Sequence, residues 1–459
     1  MLRSPHPRAR ICSCRLLGNL AWFESTTPAV LQLKLCEQLV FLLDKKHSDV
    51  IREATYALSR IARWEEGAKG VVDAKALDHV LLLLESPNSD TRRWACELTG
   101  NLASHESTAP ATLQLKPCEQ IVSLPGVEFS EATYALSQIT RWEDGAKAVV
   151  DAKVLDHILP LLESPNPMAR KWACELTGRL ARYGSTAPAI LKLNISVLLV
   201  SLLGDEDSVV SRATYALSQI ARWVDGAKAV VDAKALDHVL PLLKSPNPMT
   251  RKRACELTGH LAFRESTALA ILKLNISVPL VSLLGDEDSL VVSQAAYTLS
   301  QIARWVDGAK AVVDAKALDH VLPLLESPNP MTREWGCELT GDLLGHQSTA
   351  PPIFKSNFCM QLVSLLGDED PVVCQATYAL SQIACWVDGA KGIIDAKVLD
   401  HVLPLLESPG PGTRNWACVL VHGLASHGAT APAILQLKPI TQLESLLQWV
   451  IGFHMHHPG

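Results

Sequence analysis

The stretch ARWVDGAKAVVDAKALDHVLPLL fills Ala221–Leu243 and returns unchanged at Ala303–Leu325. Weaker copies surround it. Their Trp falls at Trp64, Trp142, Trp223, Trp305 and Trp386, in steps of 78, 81, 82 and 81, and the following Asp-His pair keeps those steps at His79, His157, His238, His320 and His401. A fixed period of this size predicts a stack of supersecondary units rather than one closed core. In such a stack, binding belongs to a long surface of equivalent residues.

Outward from that stretch, each unit divides into two similar halves. One runs Val230–Leu243, the other Ile271–Leu284, and both pass through a polar link, SPNP or GDEDS, into a longer helical pattern. In SPNPMTRKRACELTGHLA, Asn247 reads as the N-cap and Pro248 as the first helical residue, where its missing N–H costs nothing. Ala254, Leu257, Thr258 and Leu261 then form one buried stripe, as do Ala213, Ala216, Leu217 and Ile220 in the other half. The acidic link suits a helix N-terminus. The short LDHVLPLL and ISVPLVSLL runs read as apolar helices with Pro confined to about the first turn.

Composition sets further limits. The chain has 459 residues, 48% of them hydrophobic, with a net charge of −6. That balance gives no electrostatic case for nucleic acid, and no apolar run approaches the roughly 18–20 residues of a membrane helix. Arg3–Ala21 keeps register with Glu163–Ala181, so the N-terminus reads as a repeat fragment and not a targeting peptide. No Gly follows the initiator Met, so N-myristoylation is not expected. Six of the 12 Cys recur at one repeat position, Cys14, Cys96, Cys174, Cys255, Cys337 and Cys418. Equivalent positions would lie about 16–20 Å apart, beyond the roughly 7 Å reach of a disulfide. They read as small packing residues in a reducing compartment. Cys118–Ser137 is four residues shorter than Cys36–Ser59, which predicts a poorly packed layer.

The pattern resembles the armadillo repeat, through the Pro-Leu-Val-x-Leu-Leu helix frame and the ATYALSQIA segment, which is similar to that family's third-helix motif. The resemblance covers nearly the whole chain. It implies an all-α, right-handed superhelix of about ten repeats in five tandem pairs over residues 36–425, with a truncated repeat at 1–35 and an incomplete repeat and tail at 426–459. The two-helix HEAT repeat is a close alternative. One departure stands out. The Gly usual between the first two helices is replaced by Lys75, Lys153, Lys234, Lys316 and Lys397 in one half and by Asn194 or Asn275 in the other. Lys adopts a left-handed backbone poorly, so the lysine turn is expected to differ.

The resemblance also implies a site. Third helices line a concave groove in armadillo proteins, where a Trp and an Asn four residues later hold an extended peptide. Tyr215 and Gln219 occupy those two positions, and Arg222 follows on the same face. The triplet recurs as Tyr134, Gln138, Arg141 and as Tyr297, Gln301, Arg304, and decays to Tyr56 and to Tyr378, Gln382 at the ends. The alternate rows carry Glu97, Glu175, Glu256 and Glu338, each followed four residues later by a variable residue: Asn101, Arg179, His260 or Asp342. That variable position is the expected source of selectivity. The competing reading is that Tyr, Trp94, Trp172, Trp335 and Arg only pack neighbouring helices.

Other motifs fall away. Five copies of Asp-His at one helix start read as structural, and His454, His456 and His457 as part of a tail. No phosphate loop, nucleophile elbow or paired-Cys metal spacing occurs. The expectation is a cytoplasmic protein, with the nucleus as a second compartment, that is not an enzyme. It would need no cofactor or metal and would act as a scaffold for a peptide segment or partner helix. Alternatives are a nuclear-import cargo adaptor similar to importin-α, a vacuolar or membrane-associated armadillo adaptor, and a non-functional fragment of an expanded repeat family.

Overall fold

A computed structural model describes residues 1–44, 47–124, 129–349 and 358–436, and every regular element among them is helical. Two short helices and a long one recur in that order. Glu65–Asp73 and Leu77–Leu84 lead into Ser89–Ser104, then Ala109–Gln114 and Cys118–Val122 lead into Phe129–Ile139. The same order runs through Val306–Asp314, Leu318–Leu325 and Pro330–Leu344.

Local chemistry sets these boundaries. Asn88, Asn166, Asn247 and Asn329 each cap a long helix, the side-chain oxygen accepting a backbone N–H at 2.9–3.0 Å. Three of these helices begin with the expected Pro. The turn between the short helices corrects the sequence expectation. Lys75, Lys153, Lys234, Lys316 and Lys397 have φ between 56° and 65°, left-handed like Asn194 at 50° and Asn275 at 49°. The lysine turn and the asparagine turn thus share one backbone. At Lys316 the chain makes a Schellman closure: Lys316 N–H donates to the Val313 carbonyl at 2.8 Å and Ala317 N–H to Val312 at 3.2 Å. Those two bonds offset a left-handed penalty of roughly 1–2 kcal/mol. A second correction concerns proline. Pro160, Pro241, Pro323 and Pro404 lie well inside their short helices and not in the first turn. All four are exposed, so the lost backbone bond faces water, and Leu82 fills the place in the first copy.

The described chain forms two compact units, Met1–Lys234 and Ala235–Gly459. In the first, Pro7–Leu20, Ser48–Ile61, Ser89–Ser104, Phe129–Ile139, Pro167–Arg182 and Asp207–Ala221 pack side by side in chain order. In the second, Pro248–Ala262, Ser289–Ala303, Pro330–Leu344, Asp370–Ala384 and Pro411–Ala425 do the same. The expected stripes are buried: Ala213, Ala216, Leu217 and Ile220 in one unit, Ala254, Leu257, Thr258 and Leu261 in the other. Each fully buried Leu or Ile contributes about 1.5–3 kcal/mol. Cys14, Cys96, Cys174, Cys255 and Cys337 are buried, Cys418 is half-buried, and all are free thiols. Burial pushes the Cys14 thiol up to about 12, which leaves it uncharged and unreactive.

Two polar devices tie neighbouring layers together. The indole N–H of Trp64, Trp142 and Trp223 donates to the carbonyl of Ala21, Ala103 and Ala181, the end of an earlier long helix, at 3.0, 3.2 and 2.7 Å. Trp305 and Trp386 reach Ala262 and Leu344 likewise. The intervening helix ends are met by His105 on Ala62, His346 on Ala303 and His427 on Ala384. Last-turn carbonyls lack intrahelical donors, and here the next layer supplies them. Separately, Arg170, Arg251 and Arg333 make two-pronged pairs with Asp205, Asp286 and Asp368 of the acidic links, at 2.6–2.8 Å.

The shortened repeat leaves a mark. Elsewhere Leu43, Leu203, Leu284 and Leu366, with Val50, Val209, Val291 and Val372, are buried beneath the long helix. By register these places fall on residues 125 and 128, outside the described residues. Among the described residues, Ile121, Ala132, Leu136, Val154, Leu161 and Ala169 line a cleft of about 740 Å³. The C-terminal tail with its three His lies outside the described residues as well.

Candidate functional site

The Tyr rows begin with glycine. A Cβ on Gly178 would sit 2.6 Å from the Tyr215 ring, one on Gly341 2.5 Å from Tyr378, and one on Gly18 2.4 Å from Tyr56. Each Tyr therefore lies in a notch that only Gly can leave open on the preceding long helix. The hydroxyl then finds the variable residue of that same helix. Tyr56 donates to Asn19 at 2.9 Å, Tyr134 to Asn101 at 2.8 Å and Tyr378 to Asp342 at 2.7 Å. The next long helix closes over the ring with a Trp. Tyr56–Trp94, Tyr134–Trp172, Tyr297–Trp335 and Tyr378–Trp416 have centroids 4.7–4.9 Å apart, tilted or edge-on. Each Tyr is half-buried, and its contacts join adjacent layers.

The amides are deeper. Gln219 and Gln301 are 3% and 2% exposed, and Gln138 is 9% exposed. Gln301 donates to Glu338 and Ser300 at 3.1 Å and accepts from Arg304 at 3.3 Å. Gln219 donates to Ser218 at 3.2 Å and accepts from Arg222 at 3.3 Å. A peptide backbone would have to displace these internal partners. Gln382 is half-buried. The variable residue is also engaged: the Asn101 amide donates to the Ser59 carbonyl at 2.8 Å, and Arg179 donates to the equivalent Ser137 carbonyl at 2.5 Å.

Glu97 and Glu175 of the Glu rows, with Glu53 and Glu131 of the Tyr helices, form ion pairs between layers. Glu97 accepts from Arg60 at 2.6 Å, Glu131 pairs with Arg93 at 2.8 Å, and Glu175 meets both Arg212 and Arg179. Glu53 takes Arg15 at 2.8 Å and Arg52 at 3.0 Å. Burial pushes Glu53 up, but hydrogen bonds from those two guanidiniums outweigh it and hold the carboxyl below its ordinary value. For Glu97 burial wins over the attraction of Arg60, and its carboxyl is raised. Glu338 is likewise raised by burial. Glu256 is half-buried.

Arg141, Arg222 and Arg304 are exposed. The face they share with the Tyr row carries repeated clefts. One of about 520 Å³ is bounded by Arg15, Arg52, Tyr56, Arg60 and Trp94. Another, of about 380 Å³, is bounded by Arg93, Glu97, Tyr134 and Trp172. Tyr56 and Tyr134 are equivalent positions, as are Trp94 and Trp172, so the two clefts are copies one period apart. Among the described residues no three His, Cys, Asp or Glu side chains converge as a metal site would require, and no single helix is long and apolar enough to cross a membrane.

Sequence reasoning located the Tyr, Gln, Glu and Arg rows and named their packing between neighbouring helices as the competing reading, but missed the glycine notch and the tyrosine acceptor. The glycine notch was visible as a signal. Gly18, Gly100, Gly178, Gly259 and Gly341 step along the chain in time with the Tyr residues. The tyrosine acceptor left no such trace, because Asn, Arg, His and Asp share its position.

No protein-family model matches the chain, and no curated protein matches it. Among solved structures, an engineered protein determined by the Northeast Structural Genomics Consortium is similar, with a TM-score of 0.69 and 28% identity over 86% of this chain and 99% of its own. A second engineered protein from the same consortium is 25% identical, covering 50% of this chain and 99% of its own, with a TM-score of 0.49. The chain is an all-helical protein whose helices pack sequentially, as in a helical-repeat solenoid.

Proposed function

We propose that this chain is an armadillo-type solenoid that serves as a non-catalytic scaffold, holding an extended protein segment along the face of its long helices. Three helices per repeat favour the armadillo pattern over the two-helix HEAT pattern. The observation that carries the functional reading is the copied cleft, which presents Tyr56 with Trp94 and then Tyr134 with Trp172 at the repeat period. Two layers of helices span about 16–20 Å, and an extended strand rises about 3.3 Å per residue. Side chains about five or six residues apart in one segment would therefore fall into successive clefts. Modest contacts repeated in this way give useful affinity without any single deep pocket.

In this reading the Tyr and Trp rings shape the clefts, and exposed arginines, Arg141 and Arg222 in the first unit and Arg304 in the second, with the ring edges contact bound segments. A proteinaceous partner, a cytoplasmic or nuclear setting and the absence of catalysis belong to the same proposal. The test is selection of a random peptide library on the full chain, followed by hydrogen-exchange mapping of the winners. Enriched peptides should compete with one another and slow exchange in Ser48–Ile61 and Phe129–Ile139. Enrichment of nothing, or protection confined to the short helices, would defeat the scaffold reading.

A further inference from the structure

Resting on the scaffold reading, we infer that the long-helix face of Met1–Lys234 selects an acidic extended segment, although the chain as a whole carries a net negative charge. The glutamates on this face are already answered: Glu53 by Arg15 and Arg52, Glu97 by Arg60, Glu131 by Arg93, Glu175 by Arg179 and Arg212, and Asp90, which also bounds the first cleft, is exposed. Four further cations remain. Arg63, Arg141 and Arg182 are exposed, each the last member of an i, i+4, i+7 row begun by Tyr56, Tyr134 or Glu175. Lys171 stands beside Trp172, its ammonium 4.8 Å from the ring centroid. No ion pair joins these four to a carboxylate among the described residues.

Lys171 is held below its ordinary pKa first by burial and then by the charge of Arg212, against only a partial pull from Glu175. Unbalanced positive charge that repels one of its own members is relieved by an incoming carboxylate. The corresponding rows of Ala235–Gly459 carry Glu334 where the first unit has Arg93 and Lys171, and Asp342 where it has Asn101 and Arg179, so acid selection is assigned to the first unit. A nucleic-acid strand fits this face less well. The Tyr56 and Tyr134 rings are already packed against Trp94 and Trp172, which takes up part of the ring surface that base stacking needs. Glu53, Glu97 and Glu131 also interrupt the positive track that a phosphate backbone needs.

The experiment is fluorescence anisotropy on the full chain with a labelled peptide of repeated Glu-Ser-Glu-Leu, a twin with Gln for Glu, and a twin with Lys for Glu. The Glu peptide should bind at least about tenfold tighter than the Gln twin at low salt, with the advantage shrinking as ionic strength rises. Its affinity should fall by at least about tenfold in the triple variant Arg63→Glu, Arg141→Glu, Arg182→Glu. The milder triple Arg→Gln variant, checked for unchanged helicity and melting, guards against simple unfolding and should lose part of that affinity. Equal binding of the Glu and Gln peptides, tighter binding of the Lys twin, or unchanged binding in the Arg→Gln variant overturns the inference. So does a single-stranded oligothymidine that displaces the Glu peptide and binds more tightly. If the Gln or Lys twin binds and protects Ser48–Ile61, the scaffold stands and acid selection fails. If no peptide binds, both fail.

Discussion

Asp342 sits where two equivalent positions hold asparagine. Asn19 and Asn101 accept the hydroxyl of Tyr56 and Tyr134 without charge, whereas Asp342 does so for Tyr378 as a buried carboxyl. Its second oxygen has no partner, and burial pushes its pKa from 3.8 up to about 7. A carboxyl raised in the folded state is charged at a cost. The native chain should lose stability as pH climbs from about 4 to about 7 and keep the full deficit above that window. Asp342→Asn should remove the deficit and preserve the Tyr378 bond. Thermal melts at pH 8 should show the variant more stable by roughly 2–4 kcal/mol, with no difference near pH 4. An unchanged melt at pH 8 would contradict the burial assignment. At this scale the sequence was half legible. Periodicity along one helix placed Tyr378 and Asp342 in rows, but the bond between them crosses 36 residues, and helical periodicity says nothing about a neighbour that far along.

Among elements, the short first helix of alternate repeats depends on one close approach. A Cβ on Gly308 would lie 2.0 Å from the Ile302 carbonyl oxygen and 2.9 Å from its carbon, and Gly67, Gly145 and Gly226 face the same kind of contact. Backbone cannot swing aside as a side-chain tip can. Gly308→Ala is therefore expected to destabilise Ala235–Gly459 by about 1–3 kcal/mol or more, measured by urea titration. A neutral result would mean that the helix Val306–Asp314 can shift outward. The sequence made helix starts readable, since Asn247 and Pro248 act over one or two residues. It misled at the lysine turn and the mid-helix prolines. Residue preferences there gave way to two backbone hydrogen bonds at Lys316 and to solvent around Pro323.

For the whole chain, stability in a repeat stack approximates a sum of neighbour terms. The cleft beneath Phe129–Ile139 is therefore a local deficit that other layers cannot make up. Amides of Phe129–Ile139 and Leu155–Leu162 should exchange faster than those of Asp207–Ala221 and Leu77–Leu84, as read by mass spectrometry. Equal protection would show that the shortened repeat packs as tightly as the rest. The repeat architecture was legible at this scale because every layer carries the same stripe. The proposed ligand preference was less so, since net charge averages over faces that differ. The carbonyl caps add a direction to the stack. Trp64, His105, Trp142, Trp223, Trp305 and His346 all lie 39–43 residues after the helix end they complete. As the chain leaves the ribosome, a long helix capped in this way emerges with its last turn open and is closed only by residues that emerge after it. Assembly of those layers is thus paced from behind, each held provisional until its successor has been made.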